Sequence, residues 1–300
     1  MHRAAFVLAA FLSLAASLAP AQSLSPPPAQ SKDGEKPKDK AMETYLSGVT
    51  QRGRALYAYD QAAWRGTDAF FALNPDTKGL SRYVARKTAA GWVVSFGKWN
   101  DTHDHFLVAY EATQVGATAK YEAKKLDPPV EAKDEVTDME RALELATSNF
   151  QGQKRPYNTA ILPAPGGNLY VYIYPGQVKE GIWPIGGDTR FTISADGKKI
   201  LEKHAMHNTI QDMEYKAENT PVAGVHSHIM TNVPEDTDVL YVLTRRPSIP
   251  EYIAVGTDKG FVVSRDGKIE AVTPCEGDAS GLPCNLTQGA PTKDEQKPQH

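Results

Sequence analysis

Six of the eight histidines of this sequence fall in close pairs, and one pair has the spacing of a metal chelate. His226 and His228 stand two residues apart in the run Gly-Val-His-Ser-His-Ile-Met. Alternate side chains of a β-strand project to the same face, so both imidazoles are expected on one face. Asp236 and Asp238 follow and offer a carboxylate as a third ligand. Two imidazoles and a carboxylate are a known ligand set for zinc, so the pattern predicts a candidate zinc site.

A zinc-dependent hydrolase also needs a general base that takes a proton from metal-bound water. Glu214 and Glu218 precede the histidine pair and are the candidate bases. His204 and His207 form a second pair, but residues three apart in a strand do not share a face, so they make a weaker chelate. The structural alternative for the first pair is two hydrogen-bonded histidines on a half-exposed strand.

The run His226-x-His228, followed by Pro234 and Asp238, resembles the JAMM (MPN/JAB) metalloprotease signature. In that family two histidines and an aspartate hold zinc, and a glutamate acts as the general base. The resemblance implies that His226, His228 and Asp238 are the zinc ligands. Nine residues separate His228 from Asp238, one fewer than is usual in the family.

Three further segments resemble a group of exported bacterial proteins that carry no assigned activity. These segments are residues 53–64, residues 186–197, and residues 227–230 together with 234–239. The resemblance implies a fold that begins with a helix and continues as β-structure, and it implies export. It implies no reaction.

A row of tyrosines is a second candidate binding surface. Tyr170, Tyr172 and Tyr174 alternate with Val171 and Ile173, so a strand would place the three phenol rings on one face. Such a face binds glycans or peptides when it is exposed. It packs against a helix when it is buried, and both alternatives are open at this point.

Residues 43–73 carry apolar side chains at spacings of three and four, which predicts an amphipathic helix. Gly48, Gly53 and Gly66 interrupt the pattern and indicate either a kink or a close contact with a neighbouring element. Asp60 falls on the apolar stripe. A buried carboxylate needs hydrogen-bond partners, so Asp60 is either a structural residue or a site residue.

Short runs of β-branched and aromatic residues, separated by turn signals, follow this helix and predict antiparallel strands. A charged stretch with two adjacent prolines, residues 123–137, is expected to connect the first strands to a second helix at residues 138–148. The predicted fold class is α+β, with N-terminal helices packed on antiparallel sheets and a C-terminal half that is mostly β. The predicted strands are residues 81–87, 92–97, 106–112, 157–162, 168–174, 189–194, 199–204, 222–230, 238–245, 251–256 and 261–265.

The two ends of the chain differ in composition from its body. Residues 1–21 have the basic start, apolar run and Ala-x-Ala site of a secretory signal peptide, which predicts a periplasmic or secreted protein. Oxidising compartments favour disulfides, so Cys275 and Cys284 are expected to pair. The predicted organisation is a disordered linker at residues 22–42, one α+β domain at 43–273 with subdomains at 43–152 and 153–273, and a disulfide-clipped disordered tail at 274–300.

The composition excludes several classes of function. Charged residues make up 23% of the chain and the net charge is −3, so no polybasic surface for nucleic acid is expected. The sequence has no Gly-x-Ser-x-Gly elbow and no glycine-rich nucleotide loop. The leading prediction is an exported accessory or binding protein for a protein, peptide or glycan ligand, with zinc as the candidate cofactor. The alternatives are a zinc-dependent hydrolase of the JAMM type and a glycan- or peptide-binding module.

Overall fold

The computed structural model describes residues 35–214, 221–256 and 259–273. The predicted signal peptide, Glu218 and the predicted Cys275–Cys284 disulfide lie outside the described residues. Helices and antiparallel sheets both occur, and the C-terminal half is mostly β, so the α+β prediction is confirmed. Within the described part of the chain, no helix is long and apolar enough to span a membrane.

The first helix, α1 (Glu35–Phe71), is continuous across all three of its glycines. At Gly53 the reason for the glycine is a close contact with another helix. A Cβ atom there would lie 2.7 Å from the Asp236 carbonyl oxygen and would collide with the Val239 side chain. Gly53 therefore permits close packing, and none of the three glycines divides the helix.

A four-stranded antiparallel meander packs against α1. Its strands are β1 (Arg82–Thr88), β2 (Gly91–Trp99), β3 (Phe106–Gln114) and β4 (Tyr121–Glu131). The charged stretch that was expected as a connection forms most of β4, which corrects that prediction. An edge strand with an exposed face needs little apolar sequence and tolerates proline. The charged residues and the two prolines of β4 therefore gave no strand signal. The second helix, α2 (Asp134–Ser148), follows and starts four residues before its predicted start.

The next part of the chain forms a second antiparallel sheet and a separate strand pair. The sheet has the order β5 (Tyr157–Pro163), β6 (Leu169–Pro175), β8 (Thr189–Ile193) and β9 (Ile200–Ala205). The pair joins β7 (Ile182–Gly186) to β10 (Ile210–Glu214). The turn between β9 and β10 therefore lies beside the turn between β7 and β8.

The last sheet contains β11 (Gly224–Ser227), β12 (Glu251–Val255), β13 (Lys259–Val263) and β14 (Ile269–Val272). Strands β11 and β12 run parallel, and the helix α3 (Asp236–Thr244) connects them. The prediction of a strand at residues 238–245 was wrong. Helix α3 is buried on almost every side, so its sequence is a continuous apolar run that resembles a buried strand.

Two clusters of buried apolar side chains hold these elements together, and α1 contributes to both. Leu56 and Phe70 of α1 belong to a cluster with α2, the meander and the second sheet. Leu46 and Val49 of α1 belong to a cluster with β7, α3 and the last sheet. The same helix thus fixes α3, from which one residue of the candidate site projects.

Candidate metal centre

Three imidazoles and one carboxylate converge at the junction of the second and last sheets. His207 lies in the turn after β9, His226 lies in β11, His228 follows β11 directly, and Asp238 lies in the first turn of α3. Each side chain presents one ligand atom, and the four atoms lie within 4.8 Å of one another. This group could hold a metal ion.

Five of the distances between side chains of the group are close to those of a tetrahedral site. The Nε2 atom of His228 lies 2.9 Å from that of His207 and 3.2 Å from that of His226. The carboxylate of Asp238 lies 3.2 to 3.4 Å from the three Nε2 atoms. Zinc–nitrogen bonds of about 2.0–2.1 Å place neighbouring tetrahedral ligand atoms about 3.3 Å apart. The site therefore has nearly the dimensions that a bound ion requires.

The other ring nitrogen of each histidine contacts an oxygen that can only accept a hydrogen bond. His207 Nδ1 lies 2.8 Å from the Asp188 carboxylate, and His228 Nδ1 lies 2.8 Å from the carbonyl oxygen of Val233. His226 Nδ1 lies 2.9 Å from the Glu251 carboxylate. Each Nδ1 must therefore carry a proton, and in the neutral imidazole each Nε2 then presents a lone pair to the centre.

These partners are themselves fixed. Glu251 is buried at the start of β12 and also accepts a hydrogen bond from the buried guanidinium of Arg245. A Cβ atom on Gly224 would lie 2.8 Å from Arg245 Nη1, so the glycine leaves room for this ion pair. Carboxylate and carbonyl partners of this kind orient imidazoles and raise their basicity in metal sites.

Asp238 is held by the start of its own helix. Its Oδ2 atom accepts a hydrogen bond of 2.7 Å from the backbone N–H of Glu235, and the Glu235 side chain completes a capping box. Oδ1 therefore remains directed at His207 and His226, at 3.4 and 3.2 Å. The helix cap thus positions one carboxylate oxygen as a ligand.

The electrostatics of the group favour a cation at its centre. Burial disfavours the charged form of His226, but hydrogen bonds and charges from Asp238 and Glu251 outweigh it and raise the pKa to about 9. Burial also acts to lower the pKa of His207, but the charges and hydrogen bonds of Asp188 and Asp238 outweigh it and hold this pKa well above its usual value. Burial would raise the pKa of Asp238, yet the imidazoles, His207 foremost, keep it well below its ordinary range. Protons or a metal ion must supply the positive charge that four converging acceptors need.

The group is reached from one side. A cleft of about 60 Å³ opens onto His207 and His226, whose side chains are 13% and 9% exposed. His228 and Asp238 are almost completely buried, with 1% and 0% of the side chain exposed. The polar side chains that line the cleft beside the histidines are those of Asn208, Thr209, Gln211, Ser227 and Thr231.

Asp236, the other predicted ligand, does not join the group. Its buried carboxylate accepts hydrogen bonds of 2.8 to 3.0 Å from Tyr172, Arg190 and Arg52. Both oxygens are fully used by these donors, and helix geometry turns Asp236 away from Asp238. Asp236 therefore ties α3 to α1 and to the second sheet.

The remaining predicted site residues are distributed as follows. His204 is separated from His207 by the end of β9 and instead pairs with Glu235 at 3.0 Å. This hydrogen bond, foremost, raises the pKa of His204. Glu214 is exposed at the end of β10, paired in register with Ile182, and is not among the described residues that line the cleft. Glu218 lies outside the described residues.

The tyrosine row does not form an exposed surface. Tyr172 and Tyr174 are 0% and 7% exposed, and only Tyr170 is half-buried. The Tyr174 hydroxyl donates a hydrogen bond of 3.0 Å to the carboxylate of Asp60 on α1. Of the two alternatives, the structure therefore favours packing, because Tyr172 and Tyr174 are buried against residues of α3 and α1, and Asp60 does not join the histidine group.

No protein-family model, no curated protein and no solved structure matches the chain. The resemblance to the JAMM signature and the resemblance to exported bacterial proteins therefore stay predictions. The chemistry of the four converging side chains is the basis on which function can be inferred.

Proposed function

We propose that this protein is a metal-binding accessory protein that holds one divalent transition-metal ion, zinc foremost, on His207, His226, His228 and Asp238. One observation carries the proposal. The Nε2 atom of His228 lies 2.9 and 3.2 Å from those of His207 and His226, the Asp238 carboxylate lies 3.2 to 3.4 Å from all three, and every Nδ1 contacts an acceptor. Acceptors at such distances repel one another unless protons or a metal ion lie between them.

The ligand set narrows the choice of ion. Imidazole suits zinc, copper, iron and nickel, whereas oxygen-rich sites suit magnesium and calcium. Three nitrogens and one oxygen near the spacing of a tetrahedron fit zinc, which is almost always four-coordinate and tetrahedral in structural sites. Four protein ligands are also the number that structural zinc sites use.

The proposal is tested by metal content and metal-linked stability. The chain, purified without a polyhistidine tag, is analysed for bound metals by mass spectrometry and titrated with zinc after chelation. We expect about one ion per chain, and at free zinc a hundredfold above Kd a stabilisation of about 2.7 kcal/mol. Cobalt(II) substituted at the site should give the intense visible absorption of a tetrahedral centre.

Two double variants separate the site from ordinary surface histidines. His226→Ala/His228→Ala should abolish stoichiometric binding. His103→Ala/His105→Ala removes two histidines with the same spacing. His103 is exposed and lies beside Glu144, and His105 lies near the surface beside Glu131. This control variant should leave metal binding unchanged. Equal metal content in both variants, or a native protein that takes up none of the tested ions, would refute the proposal.

A zinc-dependent hydrolase is the second candidate, because the cleft gives solvent access to two of the ligands. Such a reaction needs a general base within one water of the ion, and the described residues that line the cleft include no free carboxylate. Hydrolysis of a peptide library by the zinc-loaded protein, lost in His226→Ala/His228→Ala, would support this candidate.

A further inference from the structure

Strand β11 lies at an open edge of the last sheet. Within the described part of the chain it pairs with β12 alone. The backbone N–H groups of Gly224 and His228 donate to carbonyl oxygens on the β12 side, and successive residues of a strand direct these groups to opposite sides. The N–H and C=O groups of Val225 and Ser227 therefore point away from β12, and no hydrogen bond joins them to another described residue. This edge thus offers two donors and two acceptors.

The surface beside these backbone groups is apolar and carries no formal charge. Val225 and Ile229 are 47% and 89% exposed, and Val222 and Met230 are exposed as well. Residues 221–234 include no lysine, arginine, aspartate or glutamate. Exposed apolar side chains next to unpaired backbone groups are the features that allow a strand edge to pair with another chain.

The other edge strands of the described sheets carry features that disfavour such pairing. Each contains a lysine, arginine, aspartate, glutamate or proline, as protected edges usually do. These strands are β1, β4, β5, β7, β9, β10 and β14. Strand β11 contains none of these residue types. Among the described strands, its edge is therefore the one that the sequence leaves unprotected.

The small size of this edge indicates the kind of partner. A stable interface between two folded proteins buries about 800 Å² on each partner and uses about 20–30 residues a side. Strand β11 has four residues, and the exposed apolar side chains beside it lie within residues 222–230. An extended peptide needs only main-chain hydrogen bonds to a strand edge and a few side-chain contacts. The edge therefore fits a short extended segment better than a second folded surface.

We propose that the edge of β11 binds an uncharged, extended segment of a partner polypeptide, which joins the last sheet as an additional strand. The backbone of the segment pairs with that of Val225 and Ser227, and its apolar side chains contact Val225 and Ile229. Ser227, Ile229 and Met230 also line the cleft at the metal group, so the segment passes the mouth of this cleft. The binding groups include no proposed metal ligand, so this site does not depend on the proposed metal centre.

The test begins with a phage-displayed library of random dodecapeptides, selected on the chelator-treated protein. Enriched peptides are synthesised with a fluorescent label, and their affinity is measured by fluorescence anisotropy. Each backbone amide of the peptide is then methylated in turn. Methylation at every second position of the bound segment should weaken binding about tenfold, roughly the effect of one lost hydrogen bond, because those N–H groups face β11. Methylation at the positions between them should be tolerated.

Variants connect the affinity to this edge. Val225→Lys places a charge on the edge, and Val225→Pro removes an N–H group that the β11–β12 pairing does not use. Both should weaken peptide binding about tenfold or more while metal content stays unchanged. Val178→Lys is the matched control, because this exposed valine lies between β6 and β7, away from β11. Thermal unfolding shows whether each variant is folded, and the methylation pattern is measured on the native protein.

The proposal is overturned if the library yields no saturable binder, or if methylation of the enriched peptides shows no alternation. It is also overturned if folded Val225→Lys and Val225→Pro bind the peptides as the native protein does. Light scattering tests the alternative occupant. A native dimer that Val225→Lys converts to a monomer would mean that the edge pairs with a second copy of the chain, and it would overturn the proposal too.

Discussion

Replacing Glu140 with glutamine is expected to stabilise the protein at alkaline pH and to leave it nearly unchanged at pH 5. Glu140 lies in α2, is 0% exposed, and neither carboxylate oxygen has a hydrogen-bond partner in the described part of the chain. Burial raises its pKa to about 8, with Arg82 opposing and Glu144 adding to the effect. The native protein therefore keeps this side chain protonated at neutral pH.

The size of the effect follows from linkage between proton binding and folding. In the unfolded chain the carboxyl titrates near its model value of 4.5. The folded state thus binds the proton more tightly, so stability is complete below pH 4.5 and falls as the pH rises through about 8. The difference between the two values, at about 1.4 kcal/mol for each pH unit, corresponds to a loss of about 5 kcal/mol.

The assay is urea unfolding of the native protein and of Glu140→Gln at several pH values from 5 to 9. Glutamine mimics the protonated acid in shape, so the two free energies of unfolding should agree at pH 5 and differ by several kcal/mol at pH 9. All other titrating groups are common to both proteins, so their contributions cancel in the difference. Glu135→Gln, at an exposed position of the same helix, is the matched control and should show no such divergence.

A constant difference between Glu140→Gln and the native protein across this pH range would refute the reasoning. It would mean that the carboxyl does not change its protonation state between the folded and unfolded chains in this interval. A divergence of equal size in Glu135→Gln would also refute it, because that side chain is solvated in both states.

Two further predictions concern the residues that position the candidate site. Asp188→Asn should weaken metal binding about 10–100-fold, because the amide holds the His207 ring less firmly than the carboxylate does. Competition with a chromophoric chelator measures the metal affinity. An unchanged affinity would contradict this prediction. Gly53→Ala should destabilise the protein by about 1–3 kcal/mol in urea unfolding, because the new methyl group collides with Val239. Gly48→Ala in the same helix meets only the flexible end of Arg52 and should be neutral or stabilising, so equal losses in both variants would contradict the packing explanation.

The sequence was sufficient for the parts of the fold that rest on local patterns. The periodicity of α1 and the turn signals between the first three strands of the meander predicted those elements. The strand spacing of His226 and His228 also predicted that their imidazoles lie together, and their Nε2 atoms are 3.2 Å apart.

Helix α3 was missed because burial on nearly all sides removes the helical period from its sequence. The available signal was at its start, where Glu235 and Asp238 have the spacing of a capping box. Recognising the helix would have implied a parallel pairing of β11 and β12, and hence the position of Glu251 behind His226.

His207 was treated as part of a weak chelate with His204, yet it joins the candidate centre without His204. Its position depends on a turn between two different sheets, and no local pattern encodes that approach. Asp188 was missed for the same reason, since the contact with His207 joins residues 19 positions apart through the β7–β8 turn. Such long-range contacts depend on tertiary packing.

The four converging side chains come from three different parts of the fold, which gives a bound ion a mechanical role. His207 follows a strand of the second sheet, His226 and His228 belong to the edge of the last sheet, and Asp238 belongs to α3. An ion coordinated by all four would bind the folded chain in preference to the unfolded one, so its binding free energy would stabilise the junction of these parts. Metal supply would then govern how tightly the last sheet stays attached to the second.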